Sequence, residues 1–195
     1  ARAPSRSREA AARAEARKAL DAFDQRAGFI TAWQVAGPFR QQGKLCQELF
    51  DIPFAPEQPG AKAEWKALPP PADPALFWQA DLLSVAGGDQ CVLYLRCRVF
   101  APRARKARLE IGTDDGIKLW VNGKLVHANN VMRPIVPGQD KAEAALQEGW
   151  NDFLLKITQN NMGCAACVRI RNADGSFPED LRFEAAGAPV APMHE

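Results

Sequence analysis

The amino-acid sequence predicts an all-β protein of the sandwich class, preceded by one helix. Between residues 107 and 126, apolar and polar side chains alternate with a period of two, which is typical of strands with one buried face. Segments of this kind recur about every ten residues and are separated by turn residues, as in a β-sandwich. Because no helical segments lie between them, an open α/β sheet is disfavoured.

The composition fits one domain with an appendage. The chain has 195 residues and 47% hydrophobic residues, enough to bury a core without metal or disulfide links. The formal net charge is +2, and residues 1–26 hold seven Lys/Arg against four Asp/Glu. The remaining charge is balanced, which argues against nucleic-acid binding. No run of eighteen apolar residues is present, so no membrane span is predicted.

The N-terminal part predicts a helix from residue 7 to about residue 27. Four apolar side chains share one face at helical spacing, and Gly28 ends the pattern. They are Ala16, Leu20, Phe23 and Ala27. The helix is expected either to pack on the sandwich or to contact a neighbouring domain or partner protein. The predicted divisions are 1–28 for a helix or linker, 29–185 for the sandwich and 186–195 for a C-terminal tail.

The first half of the sandwich is less regular. Residues 30–35 predict a strand that Gly37-Pro38 breaks. Residues 40–74 form a long stretch in which only 64–68 has strand character, and such a loop is either functional or folded over the sandwich. A further strand is predicted at 75–83. Residues 90–101 then alternate most clearly. The inward side chains there are Cys91, Leu93, Leu95, Cys97 and Val99, and the outward ones are Tyr94, Arg96 and Arg98.

Residues 107–127 predict two consecutive hairpins. The turn Asp114-Asp115-Gly116 is expected to join strand 107–111 to strand 117–122, and Asn122-Gly123 suits a type I′ turn leading into 124–127. Later strands are expected at 141–146, 151–158 and 166–172.

Several stretches also resemble a known class of domain. They are GTDDGIKLWVNGKLVHANNVMR from Gly112, Asp140, LQEGWNDFLLKI from Leu146, and AWQVAGPF from Ala32. Together they resemble the galactose-binding-like and PA14-like β-sandwich modules of multidomain bacterial proteins, over roughly residues 30–184. The resemblance implies a jelly-roll β-sandwich that acts as a non-catalytic carbohydrate-binding module of a larger exported protein. The alternative is a structural or protein-interaction domain that docks or spaces its neighbours.

The residues do not suggest an enzyme. The chain has two histidines, and His127 would have to serve any Ser-His or Cys-His arrangement, although no Ser or Cys partner is evident. Adjacent aspartates in extended backbone point apart, unlike the facing carboxyl pair of a glycosidase.

Asp114 and Asp115 are the predicted metal ligands. In calcium-dependent PA14-type lectins, which this part of the chain resembles, two adjacent aspartates bind Ca²⁺ and the ion holds sugar hydroxyls. Calcium takes six to eight oxygen ligands, and an asparagine from another loop is also needed. Four residues are candidates: Asn129, Asn130, Asn160 and Asn161. Alternatively, the two aspartates form hydrogen bonds within the turn.

Sugar can also be bound without a metal, by an aromatic ring and a few polar groups. Trp120, Asn122 and Arg133 are the candidates for this role. The alternatives are that Trp120 covers a second layer of core and that Arg133 is solvated or bridges Asp140.

The five cysteines suggest no redox or zinc site. Cys91 and Cys97 would lie roughly 20 Å apart along one strand and cannot form a disulfide. Cys164 and Cys167 are interpreted as small apolar residues or as a local disulfide. The sequence begins with Ala1, which suits a processed exported protein or an excised fragment, and an extracytoplasmic location is predicted.

Overall fold

The computed structural model describes residues 13–17 and 27–186, which form a two-layer antiparallel β-sandwich. The predicted all-β sandwich is thus confirmed. The described strands are β1 (Gln34–Phe39), β2 (Lys66–Ala67), β3 (Ala80–Asp81), β4 (Cys91–Ala101), β5 (Arg105–Asp114), β6 (Ile117–Val121), β7 (Lys124–Asn129), β8 (Asp140–Leu146), β9 (Gly149–Gln159), β10 (Ala165–Asn172) and β11 (Arg182–Glu184).

One layer is a seven-stranded sheet of order β2-β1-β4-β9-β6-β7, with β11 paired to β4. The other is a four-stranded sheet of order β3-β10-β5-β8. Short helices occupy the connections. They are α2 (Cys46–Leu49), α3 (Leu83–Ala86) and two 3₁₀ turns, Ala55–Glu57 and Pro74–Leu76. Residues 13–17 are helical and exposed, and they are here called α1.

The core lies between the two layers and follows the predicted alternation. The five side chains of β4 that were expected to point inward are fully buried there. Leu109 and Ile111 of β5 meet Ile117 and Leu119 of β6 in the same cluster, all fully buried. Because every second side chain of each strand lies in the core, a shift of one residue in register would move the apolar side chains to the opposite face, so the register is fixed.

The first predicted hairpin is wrong. Strand β5 pairs with β8 and β10 in the four-stranded sheet, whereas β6 pairs with β7 and β9 in the seven-stranded sheet. The chain therefore crosses from one layer to the other at residues 114–116. An alternating pattern specifies which side chains are buried but not which strand is the neighbour, and both layers bury the same kind of face. The β6–β7 hairpin is confirmed, with Asn122 and Gly123 at φ of 51° and 76°.

The early strands also differ from the prediction. Strand β1 continues through Gly37-Pro38 because a register shift between Ala36 and Phe39 accommodates the proline against β4. The strand predicted at 75–83 is reduced to Ala80–Asp81, with a 3₁₀ turn before it and α3 after it.

Residues 40–65, here called the covering segment, lie over the outer face of the seven-stranded sheet. Leu49 packs with Val92 and Tyr94 in a second apolar cluster. The expectation that Tyr94 would point outward is correct in direction, but its side chain is fully buried beneath this segment. Its hydroxyl donates to Glu57, which also accepts from Lys156 Nζ at 2.9 Å. The covering segment therefore belongs to the folded domain.

Other predictions concern the ends of the chain and the cysteines. Most of the predicted N-terminal helix and the tail beyond residue 186 lie outside the described residues. All five cysteines are free and buried, so the local disulfide between Cys164 and Cys167 is not formed. No helix among the described residues is both long and apolar enough to cross a membrane.

Candidate functional site

The candidate site lies at the end of the sandwich where the chain crosses between the two sheets, here called the crossing end. Asp114 is the last residue of β5, and Asp115 follows it through a cis peptide bond. Two connections that run from the seven-stranded sheet to the four-stranded sheet meet these residues. The connection after β7 and the connection between β9 and β10 each contribute a backbone N–H to Asp115.

Asp115 fastens these loops together. Its side chain is buried, and its Oδ1 accepts from the backbone N–H of Arg133 at 3.0 Å. Its Oδ2 accepts from the backbone N–H of Asn160 at 2.8 Å. Its own N–H donates to the carbonyl of Thr158 at 3.1 Å. These side-chain bonds connect separate loops, unlike the bonds within the turn that were considered as an alternative.

Asp114 is in a different situation. Its carboxylate has no hydrogen-bond partner among the described residues and is pressed against Gly163, where an added Cβ would lie 2.5 Å from its Oδ2. Burial, and then the nearby charge of Asp115, raises the pKa of Asp114 to about 6. The ionised form of Asp114 is therefore destabilised by its surroundings, which is the situation that a bound cation would relieve.

Arg133 lies beside the two aspartates, but its guanidinium is occupied. Nη1 donates to Asp140 Oδ1 at 3.0 Å, and Nη2 donates to Asp140 Oδ2 and to the hydroxyl of Thr113. The hydrogen bond from Arg133, with a smaller contribution from His127, holds the pKa of Asp140 below its usual value. The bridge to Asp140 is the alternative that the sequence left open, and Arg133 reaches Asp115 through its backbone N–H.

His127 belongs to the same hydrogen-bonded group. Its Nε2 lies 3.0 Å from Asp140 Oδ2, and Asn129 Nδ2 donates to Asp140 Oδ1 at 3.2 Å. No serine or cysteine among the described residues contacts the imidazole. This geometry ties β7 to β8 across the two layers and provides no nucleophile and base pair.

The other asparagine candidates have definite positions. Asn160 Oδ1 accepts from Gln90 Nε2 at 2.8 Å, and Gln90 Oε1 accepts from the backbone N–H of Cys46 at 2.7 Å. Asn130 Nδ2 donates to the carbonyl of Gln47 at 3.0 Å. Asn161 is exposed. Gln90 and Gly163 are site residues that the sequence reasoning missed, although the Asn160-Asn161 turn beside Gly163 was recognised.

Exposed apolar side chains surround the crossing end. Leu45, Met132 and Met162 are 56%, 54% and 83% exposed. Gln47 Nε2 contacts Met132 Sδ, which links the start of α2 to the loop after β7. Met162 has a φ of 65°, which is uncommon for a bulky residue. These three residues are here called the apolar rim.

Trp120 and Asn122 lie elsewhere. They are at the far end of β6 from Asp115, next to the β6–β7 turn. Asn122 Nδ2 donates to Asn151 Oδ1 at 2.8 Å, and its Oδ1 accepts from the N–H of Asp152 at 2.9 Å. Trp120 is half-buried and lines a groove of about 360 Å³ on the outer face of the seven-stranded sheet. The structure brings Asp114, Asp115 and Arg133 together and separates them from Trp120 and Asn122.

The donor set at the crossing end suits a hard cation only in part. Among the described residues there is no group of three or more His, Cys, Asp or Glu side chains that would hold a metal ion. The two carboxylates would have to be supplemented by carbonyl, amide and water oxygens, which Ca²⁺ accepts readily. Each Asp115 oxygen accepts one backbone N–H and keeps a second lone pair.

No family model matches the chain, and no curated protein matches it. Solved structures similar to it include the PA14 domain of the MpAFP antifreeze protein, at 15% identity and a TM-score of 0.36, covering 52% of this chain and 55% of that one. The PA14 sugar-binding domain from an RTX adhesin is 19% identical with a TM-score of 0.33, covering 48% of this chain and 51% of that one. A glycosyl hydrolase family 2 member from Bacteroides cellulosilyticus DSM 14838 is 12% identical with a TM-score of 0.41, covering 75% of this chain and 20% of that one.

The chain thus spans less than two thirds of each of these structures. The likeness to these structures is one of fold alone.

Proposed function

We propose that this protein is a non-catalytic carbohydrate-binding module that binds its ligand at the crossing end with the help of Ca²⁺. The observation that supports this most directly is the Asp114 carboxylate. It is partly buried next to a second carboxylate and has no hydrogen-bond partner among the described residues.

The physical argument is one of charge and desolvation. Two neighbouring carboxylates in a partly buried position repel each other, and within the described ranges neither has a cationic side chain bonded to it. Arg133 contacts Asp115 through its backbone N–H, but its guanidinium bonds to Asp140 and Thr113. A divalent cation would offset both carboxylate charges, and Ca²⁺ accepts oxygen ligands in flexible geometry.

Bound Ca²⁺ would supply coordination positions that sugar hydroxyls can fill. The residues of this chain would provide the remaining contacts. The apolar rim of Leu45, Met132 and Met162 offers surface for the apolar face of a pyranose. Asp115 would keep the two connections between the layers in place through the backbone N–H groups of Arg133 and Asn160.

We further propose that the module works outside the cytoplasm as part of a larger exported bacterial protein. Free cysteines are uncommon in such compartments. Here, however, all five are buried, and burial raises the pKa of the Cys91 thiol to about 11. Thiols that are shielded and protonated react slowly with oxidants, so this cysteine content is compatible with an oxidising environment.

The test combines a glycan array with thermal unfolding, each in Ca²⁺ and in EDTA. We expect Ca²⁺ to raise the unfolding temperature and glycan retention to require Ca²⁺. The variant Asp114→Asn should lose both effects, whereas Asp89→Asn should keep them, because Asp89 is exposed and its side chain has no hydrogen bond within the described part of the chain. Absence of a calcium shift together with absence of any retained glycan would contradict the proposal.

The apolar rim also favours a second candidate function, a protein-interaction domain that docks a neighbouring domain. Exposed apolar residues grouped at one end are a feature of interaction surfaces. The helix predicted as the contact lies mostly outside the described residues. Light scattering on the chain with and without residues 1–27, and on the double variant Met132→Gln and Met162→Gln, tests this function. If all three preparations remain monomeric and bind no neighbouring domain of the same polypeptide, the interaction function is rejected.

A further inference from the structure

The groove beside Trp120 is separate from the crossing end. It lies on the outer face of the seven-stranded sheet, between the 3₁₀ turn of the covering segment and the β6–β7 turn. Its lining consists of Pro56, Glu57, Trp120, Gly123, Asp152 and Leu154. Its volume of about 360 Å³ is within the range of small-molecule sites, roughly 300–1,000 Å³.

Trp120 differs from the other four tryptophans, all of which lie in the described part of the chain. Trp33 donates its indole N–H to the carbonyl of Ile30, and Trp78 packs near the ring of Phe29. Trp65 lies beneath the guanidinium of Arg96. Trp150 contacts the ring of Phe100 and the guanidinium of Arg98.

The Trp120 side chain has no such partner among the described residues. It belongs to neither apolar cluster, no ring or cation stacks on it, and its indole N–H has no acceptor. Its neighbours Leu119 and Val121 fill the core on the other side of the sheet. Trp120 therefore does not cover a second layer of core.

The polar groups of the groove are hydrogen-bond acceptors. Glu57 uses Oε1 for Tyr94 and Lys156, and no bond to its Oε2 is found among the described residues. Asp152 is exposed, and its carboxylate forms no hydrogen bond or ion pair within the described range. No cationic residue is part of the lining. A partly accessible indole with two carboxylates nearby suits a ligand that has an apolar face and several hydroxyl donors.

We propose that the Trp120 groove is a second saccharide site, which binds a neutral pyranose without a metal ion. The indole contacts the C–H face of the ring, and the carboxylates of Asp152 and Glu57 accept its hydroxyl protons. Acidic sugars are disfavoured because a uronate would add a third carboxylate to a groove whose lining already holds Glu57 and Asp152. This site is independent of the calcium-dependent function proposed for the crossing end.

The test is calorimetric titration in EDTA, so that a calcium-dependent site does not contribute. The probes are the hexaoses of β-1,4-linked glucose, xylose and mannose, with hexagalacturonate as the acidic probe and hexaglucosamine as the cationic one. We expect at least one neutral hexaose to bind and hexagalacturonate not to bind. Trp120→Ala should weaken the binding by about tenfold or more, and Trp120→Phe by less, because the smaller ring keeps part of the contact.

Two further variants complete the design. Asp152→Asn changes an exposed residue and is expected to fold normally, to weaken binding of the neutral sugar, and to admit hexagalacturonate. Asp89→Asn changes an exposed carboxylate that is not part of the groove lining, so it is the matched control and should bind as the wild type does. Absence of binding by every neutral hexaose in EDTA, binding of hexaglucosamine alone, or equal binding by the wild type, Trp120→Ala and Asp152→Asn would each overturn the proposal.

Discussion

Replacing Asp114 by asparagine is expected to stabilise the protein at neutral pH when calcium is absent. The pKa of Asp114 is raised from 3.8 to about 6, so the native state binds the proton more tightly than the unfolded chain does. Stability from this group is fully present below pH 4 and is lost as the pH rises through about 6. Asparagine has no proton to lose and stays neutral, so its advantage over aspartate grows as the pH rises from about 4 and is complete above about 6.

The size of the effect follows from the same values. A change in pKa from 3.8 to about 6 has an upper limit of about 3 kcal/mol, and partial solvent exposure of the carboxylate reduces this to about 1–2 kcal/mol. For a domain of this length we expect the unfolding temperature of Asp114→Asn to exceed that of the wild type by about 2–8 °C at pH 7.5 in EDTA. At pH 4 the two should be nearly equal.

Calcium provides the second half of the test. Saturation at one hundred times the dissociation constant would stabilise the wild type by about 2.7 kcal/mol and leave Asp114→Asn unchanged, which reverses their order. Asp89→Asn serves as the control and should change stability by less than about 0.5 kcal/mol throughout. Urea unfolding at both pH values measures these differences. If Asp114→Asn is not more stable at pH 7.5 in EDTA, or if it shows the same gain at pH 4, the argument from desolvation is refuted.

Three further predictions concern the fold. Gly112→Ala should lower the free energy of unfolding, measured in urea, by at least about 2 kcal/mol, because its Cβ would lie 2.4 Å from the carbonyl oxygen of Val136. Gly123→Ala meets open space and should lower it by about 1 kcal/mol because of the positive φ. Equal losses in the two variants would contradict this argument. Lys156→Met should lower the free energy of unfolding by about 2–4 kcal/mol, because it leaves Glu57 without its buried cation. Adding Glu57→Gln should restore part of the lost stability. If Lys156→Met alone is as stable as the wild type, the ion pair does not stabilise the fold. A thiol reagent at pH 8 should label none of the five buried cysteines in the native protein and all five in guanidinium chloride, and rapid native labelling would disprove their burial.

The strand content was predictable where burial depends on the local pattern. Strands β4, β6, β7 and β10 follow directly from alternating side chains and turn residues, because a strand with one buried face has the same signature in any sandwich. Strand partners depend on contacts between distant parts of the chain. For this reason the link between β5 and β6 was mistaken for a hairpin, and the burial of Tyr94 under the covering segment was not foreseen.

The candidate site was predictable only in its turn residues. Asp114 and Asp115 were recognisable as an adjacent acidic pair, but the N–H groups that hold Asp115 come from Arg133 and Asn160, which are 18 and 45 positions away. The distance of Trp120 from the two aspartates could have been predicted from their spacing in the sequence. Each strand residue advances about 3.3 Å, so Trp120, five residues after Asp115, had to lie about 17 Å from it along β6.

The crossing at residues 114–116 gives the module a mechanical property. Asp114 ends a strand of the four-stranded layer, while Asp115 is bonded to loops that follow strands of the seven-stranded layer. An ion or ligand bound by both carboxylates would link the two layers and resist their sliding over each other. The force needed to pull the two layers apart would then be higher when the site at Asp114 and Asp115 is occupied than when it is empty.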